Sequence, residues 1–351
     1  MPTGQLKRDG WAKLTEDYQD RNVITAILEV CTFGARIGYE DYRSKTTIHH
    51  NLKTAIVEAS IVSADIVSEL NDSQLEVYSG HHSLPRDFTA SPLGLTNIAD
   101  ESKRRIHHLY YHPGDISGIN AGIAEHYGAI KYTGIEDVIQ AVQRFGGNSI
   151  LIKRDFEFAF RHIPVSPMDT PLLGFQCEGI FYAQPFLPFG LRSALYLFNL
   201  FAEGFHWILE QQLKKANISA TIIHYLDDFL LVLDPGAMTN LEQSSQIFTS
   251  LCAQLGLSIK TLKNEEGTAV SFAGLVLDTG NMVIRLPDKK RQKAQKIISE
   301  ARNSQSLSLL DIQKITGYLN FVSTVVPLGR TFLRHLYNME LYFPPQAASY
   351  H

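Results

Sequence analysis

Cysteine is scarce in this chain: three in 351 residues, Cys31, Cys177 and Cys252, far apart and odd in number. That argues against a disulfide framework or a zinc knuckle and fits a reducing compartment. A basic surplus is missing as well. The formal net charge is −4, so no global field announces nucleic acid, and any such contact must come from local patches. No apolar run approaches the length that spans a bilayer. The first twenty residues are polar and lack the apolar core of a secretory signal. An intracellular protein of the cytoplasm or nucleus is expected, with no membrane partner. Internal repeats and low-complexity tracts are absent too. What is there is ordinary for a globular chain, 44% apolar and 19% charged residues, long enough for two or three domains or subdomains around a real core.

The first eighty-odd residues read as helical. From His49 to Leu70 the positions Leu52, Ala55, Ile56, Ala59, Val62, Ile66 and Leu70 share one face at the 3.6-residue period. From Ser83 to Gly122 the composition shifts to Pro, Gly, His and Tyr, and Lys103, Arg104 and Arg105 form a short basic run. Such a run is usually a solvated face, although guanidinium groups also grip phosphate oxygens bidentately. His108 and His112 have helical spacing, but Pro113 speaks against a helix there and so against a histidine metal site.

Gly134 to Phe145 reads as a short amphipathic helix stopped by Gly146-Gly147. Ile150, Leu151 and Ile152 then form a buried strand that ends at Asp155. Leu172 to Phe175 and Ile180 to Phe186 read as a hairpin. A long helix follows the Pro188–Gly190 turn, with Ala194, Leu197, Phe198, Phe201, Phe205, Ile208, Leu209 and Leu213 on its apolar face. Another helix runs from about Asn240 to Leu255, and short strands are expected at Val270 to Leu277 and Met282 to Leu286. In the tail, Pro287 suits a first helical position and Ser308 to Asp311 resembles a capping box. Arg285 to Lys314 holds eight Lys or Arg against three acids, a local surplus of five. This is either a solvated helix face or a surface that tracks a duplex backbone.

The stretch Ile222 to Leu233, I-I-H-Y-L-D-D-F-L-L-V-L, is two apolar runs around a break, the pattern of a hairpin. The break is expected at Asp227-Asp228, where two like charges stand side by side. Alone, this is either a solvated acidic turn or a divalent-metal site. Asp155, 72 residues earlier, supplies a third carboxylate if the two elements lie in one sheet. Mg²⁺ accepts one or two carboxylates and completes its shell with water and phosphates. Two such ions about 4 Å apart clamp the oxygens of an in-line phosphoryl transfer.

At this point the chain resembles the reverse transcriptases of retrotransposons, those of tyrosine-recombinase and long-terminal-repeat elements above all. The resemblance rests on I-K-R-D-F-E-F-A-F-R (152–161), L-P-F-G-L-R-S-A-L-Y-L-F-N (187–199) and H-Y-L-D-D-F-L (224–230), in the family's order. L-G-L-S-I-K-T-L-K, V-S-F-A-G-L-V-L-D and S-P-L-G-L…R-R-I-H-H-L resemble further motifs, so the likeness spans about 85 to 340. It implies an α+β right-hand polymerase: a helical N-terminal extension over 1–84, fingers and palm with an antiparallel sheet over 85–284, and a helical thumb over 285–351. It also implies RNA-directed DNA synthesis with two Mg²⁺ ions, Mn²⁺ as a substitute, deoxynucleoside triphosphates, and an RNA or DNA template with primer. Other retroelement proteins are implied as further partners.

Residue by residue, the resemblance makes Asp155, Asp227 and Asp228 the catalytic metal ligands, with the Phe156 carbonyl adding one. Phe160 becomes the aromatic gate under the sugar, Phe189 and Gly190 border the nucleotide, and Arg104 lies over the triphosphate. Lys263 matches the lysine that protonates departing pyrophosphate. Phe160 and Phe189 read equally as core aromatics, Lys263 as a loop residue, and Arg161 as the partner of a palm carboxylate. The chain departs from the family at Ile98, where a triphosphate-binding lysine is usual, at Lys103, usually aromatic, and at Leu195, often proline. The alternative is therefore a catalytically impaired or repurposed palm-fold remnant that binds nucleic acid. A metal-dependent nuclease leaves the turn and helix at 187–199 without a role. No ribonuclease H, integrase or recombinase segment is recognisable, so one part of a larger element product, or a truncated copy, is expected.

Overall fold

A computed structural model describes residues 6–41, 45–97, 102–112, 118–128, 130, 133–236 and 238–343. Ile98 and Pro113 lie outside them. The central sheet has the order β11 (Glu265–Gly267), β6 (Ile150–Asp155), β10 (Asp228–Leu233), β9 (Ala220–Tyr225), with every pair antiparallel. Side chains alternate across a strand, and both faces of this sheet are buried. Ile150, Ile152, Phe229, Leu231 and Leu233 pack with the apolar face of α6 (Ala194–Lys215) and with α7 (Met238–Leu255). Leu151, Leu230 and Val232 face the other way, onto α5 (Ile135–Phe145) and the hairpin of β12 (Ala269–Phe272) and β13 (Leu275–Asp278). By the same alternation Lys153, Asp155 and Asp228 share that second face.

The amino-terminal helices belong to this core. Trp11 on α1 (Arg8–Leu14) is fully buried, donates to the Leu255 carbonyl at 3.1 Å and sets its edge on Phe201. Gly204 of α6 allows the approach: a Cβ there would stand 3.0 Å from Ile27 of α2 (Arg21–Phe33) and 3.1 Å from the Trp11 ring.

A second sheet has the order β1 (Thr47–Ile48), β3 (Thr89–Ala90), β7 (Gly174–Cys177), β8 (Ile180–Ala183), β2 (Glu76–Tyr78). Beside it stand the hairpin of β4 (Leu93–Asn97) and β5 (Lys103–His107) and the helices α3 (Lys53–Val57) and α4 (Ala59–Asn71), which share a core with Phe175 and Tyr182. The tail forms α8 (Asp288–Asn303), α9 (Leu309–Val322) and α10 (Gly329–Glu340), where few side chains are buried.

The helix at 194–215, the 135–145 helix and the Ser308–Asp311 capping box form as the patterns require. Four readings need correction. The stretch up to residue 84 includes strands β1 and β2 among its helices. The His49–Leu70 helix is two helices, broken at Glu58 (φ −116°, ψ 45°). The first is tied to β4 by Leu52 N–H to Leu93 O and Leu95 N–H to Thr54 Oγ1, which leaves Ile56 exposed. Val270–Leu277 is two strands, because Ala273 (φ 48°) and Gly274 (φ 78°) turn the chain, and β14 (Val283–Arg285) pairs with the second. Pro287 caps α8 rather than beginning it.

Candidate active site

The acidic hairpin turns one residue earlier than its sequence suggests. Asp228 already pairs with Tyr225, so Leu226 and Asp227 are the two central turn residues. Leu226 has φ 58° and Asp227 has no positive φ, the pattern of a II′ turn with leucine where glycine is usual. Backbone strain of this kind costs on the order of 1 kcal/mol and persists only where the surroundings over-determine it. Here both flanking strands are locked: Asp228 lies opposite Asp155, and the Phe156 N–H donates to the Asp227 carbonyl at 3.1 Å. The three aspartates are thus brought together by the β6–β10 register.

Their charges are poorly compensated. Burial, foremost, pushes the Asp227 carboxyl up, and the nearby Asp155 adds to it. Asp228 is pushed up to about 6, again by burial first, with Lys153 opposing and Asp155 and Asp227 repelling. Its Oδ1 is buried and accepts no hydrogen bond from a described residue, while Lys153 Nζ stands 3.8 Å away. Lys263, in a short turn before β11, donates to Asp155 Oδ2 at 2.6 Å, and the contact raises the lysine's own affinity for its proton. Hard oxygen donors, surplus negative charge and an orphaned carboxylate oxygen fit a divalent cation such as Mg²⁺. Among the described residues, no three His, Cys, Asp or Glu side chains converge closely enough to hold one as they stand. The Asp155 carboxylate is held by the lysine ammonium instead.

Beyond Asp155 the chain turns through Phe158 (φ 53°) into a short 3-10 turn at Ala159–His162. Phe156 points into the core against Phe205 and Phe229. Phe160 is half-buried: its ring meets Phe198 on one side and the exposed Phe189 on the other, at 5.7 and 5.1 Å between centroids. Arg104 sits 5.9 Å over the Phe189 ring. Gly190 (φ 89°) follows, its carbonyl held by Asn120 Nδ2 at 2.7 Å. Arg104, Phe160, Phe189 and Gly190 therefore form one wall.

Strand alternation divides the basic run at 103–105. Lys103 and Arg105 face the helices: Lys103 pairs with Glu58, and Arg105 with Asp65 at 2.6 Å and with Glu69. Arg104 points the other way, exposed and without an ion pair among the described residues. Among the described residues Arg161 meets no carboxylate from 85–284. It is buried and pairs with Glu69 of α4 at 2.6 Å and with Gln184 at 2.6 Å. Gln184 donates to His107 Nδ1 at 2.9 Å, which leaves the His107 Nε2–H for the Gly174 carbonyl at 3.0 Å. Burial holds His107 neutral, its pKa lowered to about 3. None of Lys153, Glu69, Gln184 and His107 is given a role by the sequence, although Lys153 and His107 lie within the quoted motifs. Lys153 was accessible through parity, two positions before Asp155, while the others meet only across the fold.

A second surface lies on the tail helices. Lys290 Nζ stands 4.4 Å from the Phe321 ring centroid and Lys293 Nζ 4.9 Å from that of Tyr318, so α8 and α9 enclose a groove of basic and aromatic groups.

Residues 107–277, just under half of the chain, match the family described as reverse transcriptase (RNA-dependent DNA polymerase). The chain contains a reverse transcriptase domain. A foamy viral protease-reverse transcriptase in complex with RNA/DNA hybrid shares its fold, with a TM-score of 0.64 at 15% identity over 96% of this chain and 43% of that one. The same viral protein in two complexes with double-stranded DNA gives TM-scores of 0.63 and 0.59 at 16% identity, again over 96% of this chain and over 56% and 66% of theirs. The chain thus spans about two fifths to two thirds of the solved chains that its reverse transcriptase fold resembles. Among curated proteins no sequence matches it. The mixed α+β architecture is that of the reverse transcriptase polymerases. No helix among the described residues is long and apolar enough to cross a membrane.

Proposed function

We propose that this chain is the polymerase part of a retroelement reverse transcriptase, of tyrosine-recombinase or long-terminal-repeat type, acting inside the cell. It extends a primer 3′-hydroxyl with deoxynucleotides on an RNA or DNA template. The observation that carries this reading is the register of Asp228 against Asp155 beside a strained turn that holds Asp227. Asp155, Asp227 and Asp228 would hold two Mg²⁺ ions, or Mn²⁺ in their place, with the Phe156 carbonyl assisting. Bound there, the metal supplies activation of the hydroxyl and neutralisation of the charge that develops on the phosphate.

The other roles belong to the chain's own side chains. Arg104, without an ion pair among the described residues and backed by Phe189, is suited to the triphosphate. Phe160 stacks under the sugar and leaves no room for a 2′-hydroxyl, which selects deoxynucleotides. Phe189 and Gly190 border the base and sugar. Lys263, already charged and beside Asp155, delivers a proton to the departing pyrophosphate. The fingers and palm occupy 85–284 and the thumb 285–351, whose α8–α9 groove tracks the duplex backbone. Residues 1–84 form the extension, and other retroelement proteins are further partners.

Primer extension on an RNA template with Mg²⁺, beside Asp227→Asn and Asp228→Asn controls, tests the reading. Extension by the parent alone supports it, and none at saturating deoxynucleotide sinks it. A second reading, an impaired or repurposed remnant that binds nucleic acid, draws on Ile98 and on the engagement of Lys103 by Glu58. Duplex binding without extension is its signature.

A further inference from the structure

We propose that Glu69, on α4, is a positioning residue that clamps the two halves of the nucleotide wall from behind. The inference rests on the polymerase reading for its functional meaning, and on geometry for its existence. One Glu69 carboxylate serves two guanidinium groups: Oε1 accepts from Arg161 at 2.6 Å, and Oε2 pairs with Arg105. All three side chains are largely buried, with 16%, 8% and 6% of their surface exposed, so the charges are little screened.

What makes the arrangement directional is the position of the two arginines in the chain. Arg105 follows Arg104, and Arg161 follows Phe160. On β5, side chains alternate, so a carboxylate that fixes Arg105 sets the opposite-pointing Arg104. At the 3-10 turn, Arg161 N–H bonds the Phe158 carbonyl at 2.7 Å, so its side-chain anchor also fixes the backbone that carries Phe160. The network then runs from Arg161 through Gln184 to His107, whose carbonyl oxygen lies 3.5 Å from where a Gly190 Cβ would stand. Arg104 and Phe160 are thus each one residue from the same ionic group, and Gly190 is linked to it through His107 and Gln184. That group is supplied by the amino-terminal helices, 36 residues before Arg105 and 92 before Arg161.

Glu69→Gln keeps the shape and removes the charge. It is expected to raise amide hydrogen exchange together in segments 103–107 and 159–162 of the free protein. In primer extension it should raise the KM for deoxynucleotide about tenfold, with kcat and duplex affinity within about twofold of the parent. Asp65→Asn, which among the described residues pairs with Arg105 and makes no hydrogen bond to Arg161, should loosen 103–107 more than 159–162, and Glu58→Gln should loosen neither wall residue. Unchanged exchange in both segments overturns the clamp, as does a variant that loses kcat and KM effects alike into a general fall in stability. Should the parent fail to extend a primer, the polymerase reading falls, while the exchange experiment still decides the clamp. If Glu69→Gln does not fold, Glu69→Asp, which keeps the charge and shortens the reach, carries the same test.

Discussion

The acidic hairpin tip and the ionic network behind Arg104 are both clusters of buried charge, yet they are balanced in opposite ways. Behind Arg104, Asp65 and Glu69 face Arg105 and Arg161, two charges against two, and Arg105 Nη1 is the one fully buried guanidinium nitrogen there without a hydrogen bond among the described residues. At the tip, Asp155, Asp227 and Asp228 face, among the described residues, only Lys263 and the more distant Lys153. A balanced cluster stabilises one arrangement of the chain. An acid-rich one is destabilising until a cation arrives, and its raised carboxyls register that cost.

Removing charge should therefore act in opposite directions at the two places. The largest expected effect is on activity: Asp227→Asn or Asp228→Asn lowers primer extension by about a thousandfold or more, in the range that loss of a transition-state charge partner produces. Stability should move the other way. Asp228 binds its proton more tightly when folded, so the folded state is favoured near pH 4 and loses that advantage as pH rises through about 6. Asp228→Asn should then add about 1–3 kcal/mol in urea denaturation at pH 7.5, with the gain vanishing near pH 4. A destabilised variant would break the contrast. In the balanced cluster, Arg161→Met should cost about 3–5 kcal/mol by the same measurement, because it leaves Glu69 buried with half its partners.

The histidines sharpen the contrast with a pH profile. Burial lowers His107 to about 3 and His162, His206 and His224 to about 4. The unfolded chain takes up their protons near pH 6.5 and the folded chain only near its lowered values. Stability is therefore full above pH 6.5 and falls as pH drops, by about 1–2 kcal/mol per histidine by pH 5. His206 and His224 meet at 2.9 Å between their Nδ1 atoms, one donating and the other accepting, so His224→Asn should flatten the acid limb of a thermal-midpoint profile. The smallest effect is expected at Leu226→Gly. Relief of its φ of 58° against the entropy of glycine should change stability by less than about 1 kcal/mol. Extension should nevertheless slow if the strained turn is what holds Asp227.

Much of this molecule is written in short-range pattern. The apolar runs at 150–152 and 229–233, the apolar face of 194–213 and the Ser308 cap are each a matter of neighbours within a few residues, and they form as expected. The same locality explains the errors. Two carboxylates looked like the turn because turns are usually polar, while strand pairing pushed the turn back onto Leu226 and made Asp228 part of β10. An apolar run from 270 to 277 hid a turn, since Ala273 has no turn signature of its own.

Sequence alone marked the central strands and the helices at 135–145 and 194–215, and, through motif resemblance, pointed to Asp155, Asp227 and Asp228 as the candidate site. Only tertiary structure decided that β6 lies beside β10 with Asp155 opposite Asp228, because that register depends on burying both faces of one sheet at once. It also decided that Arg104 makes no ion pair among the described residues while Lys103 and Arg105 are bound, and that Glu69 reaches Arg161. Those pairings join charges tens of residues apart, and a carboxylate's partner is chosen by where packing leaves it buried.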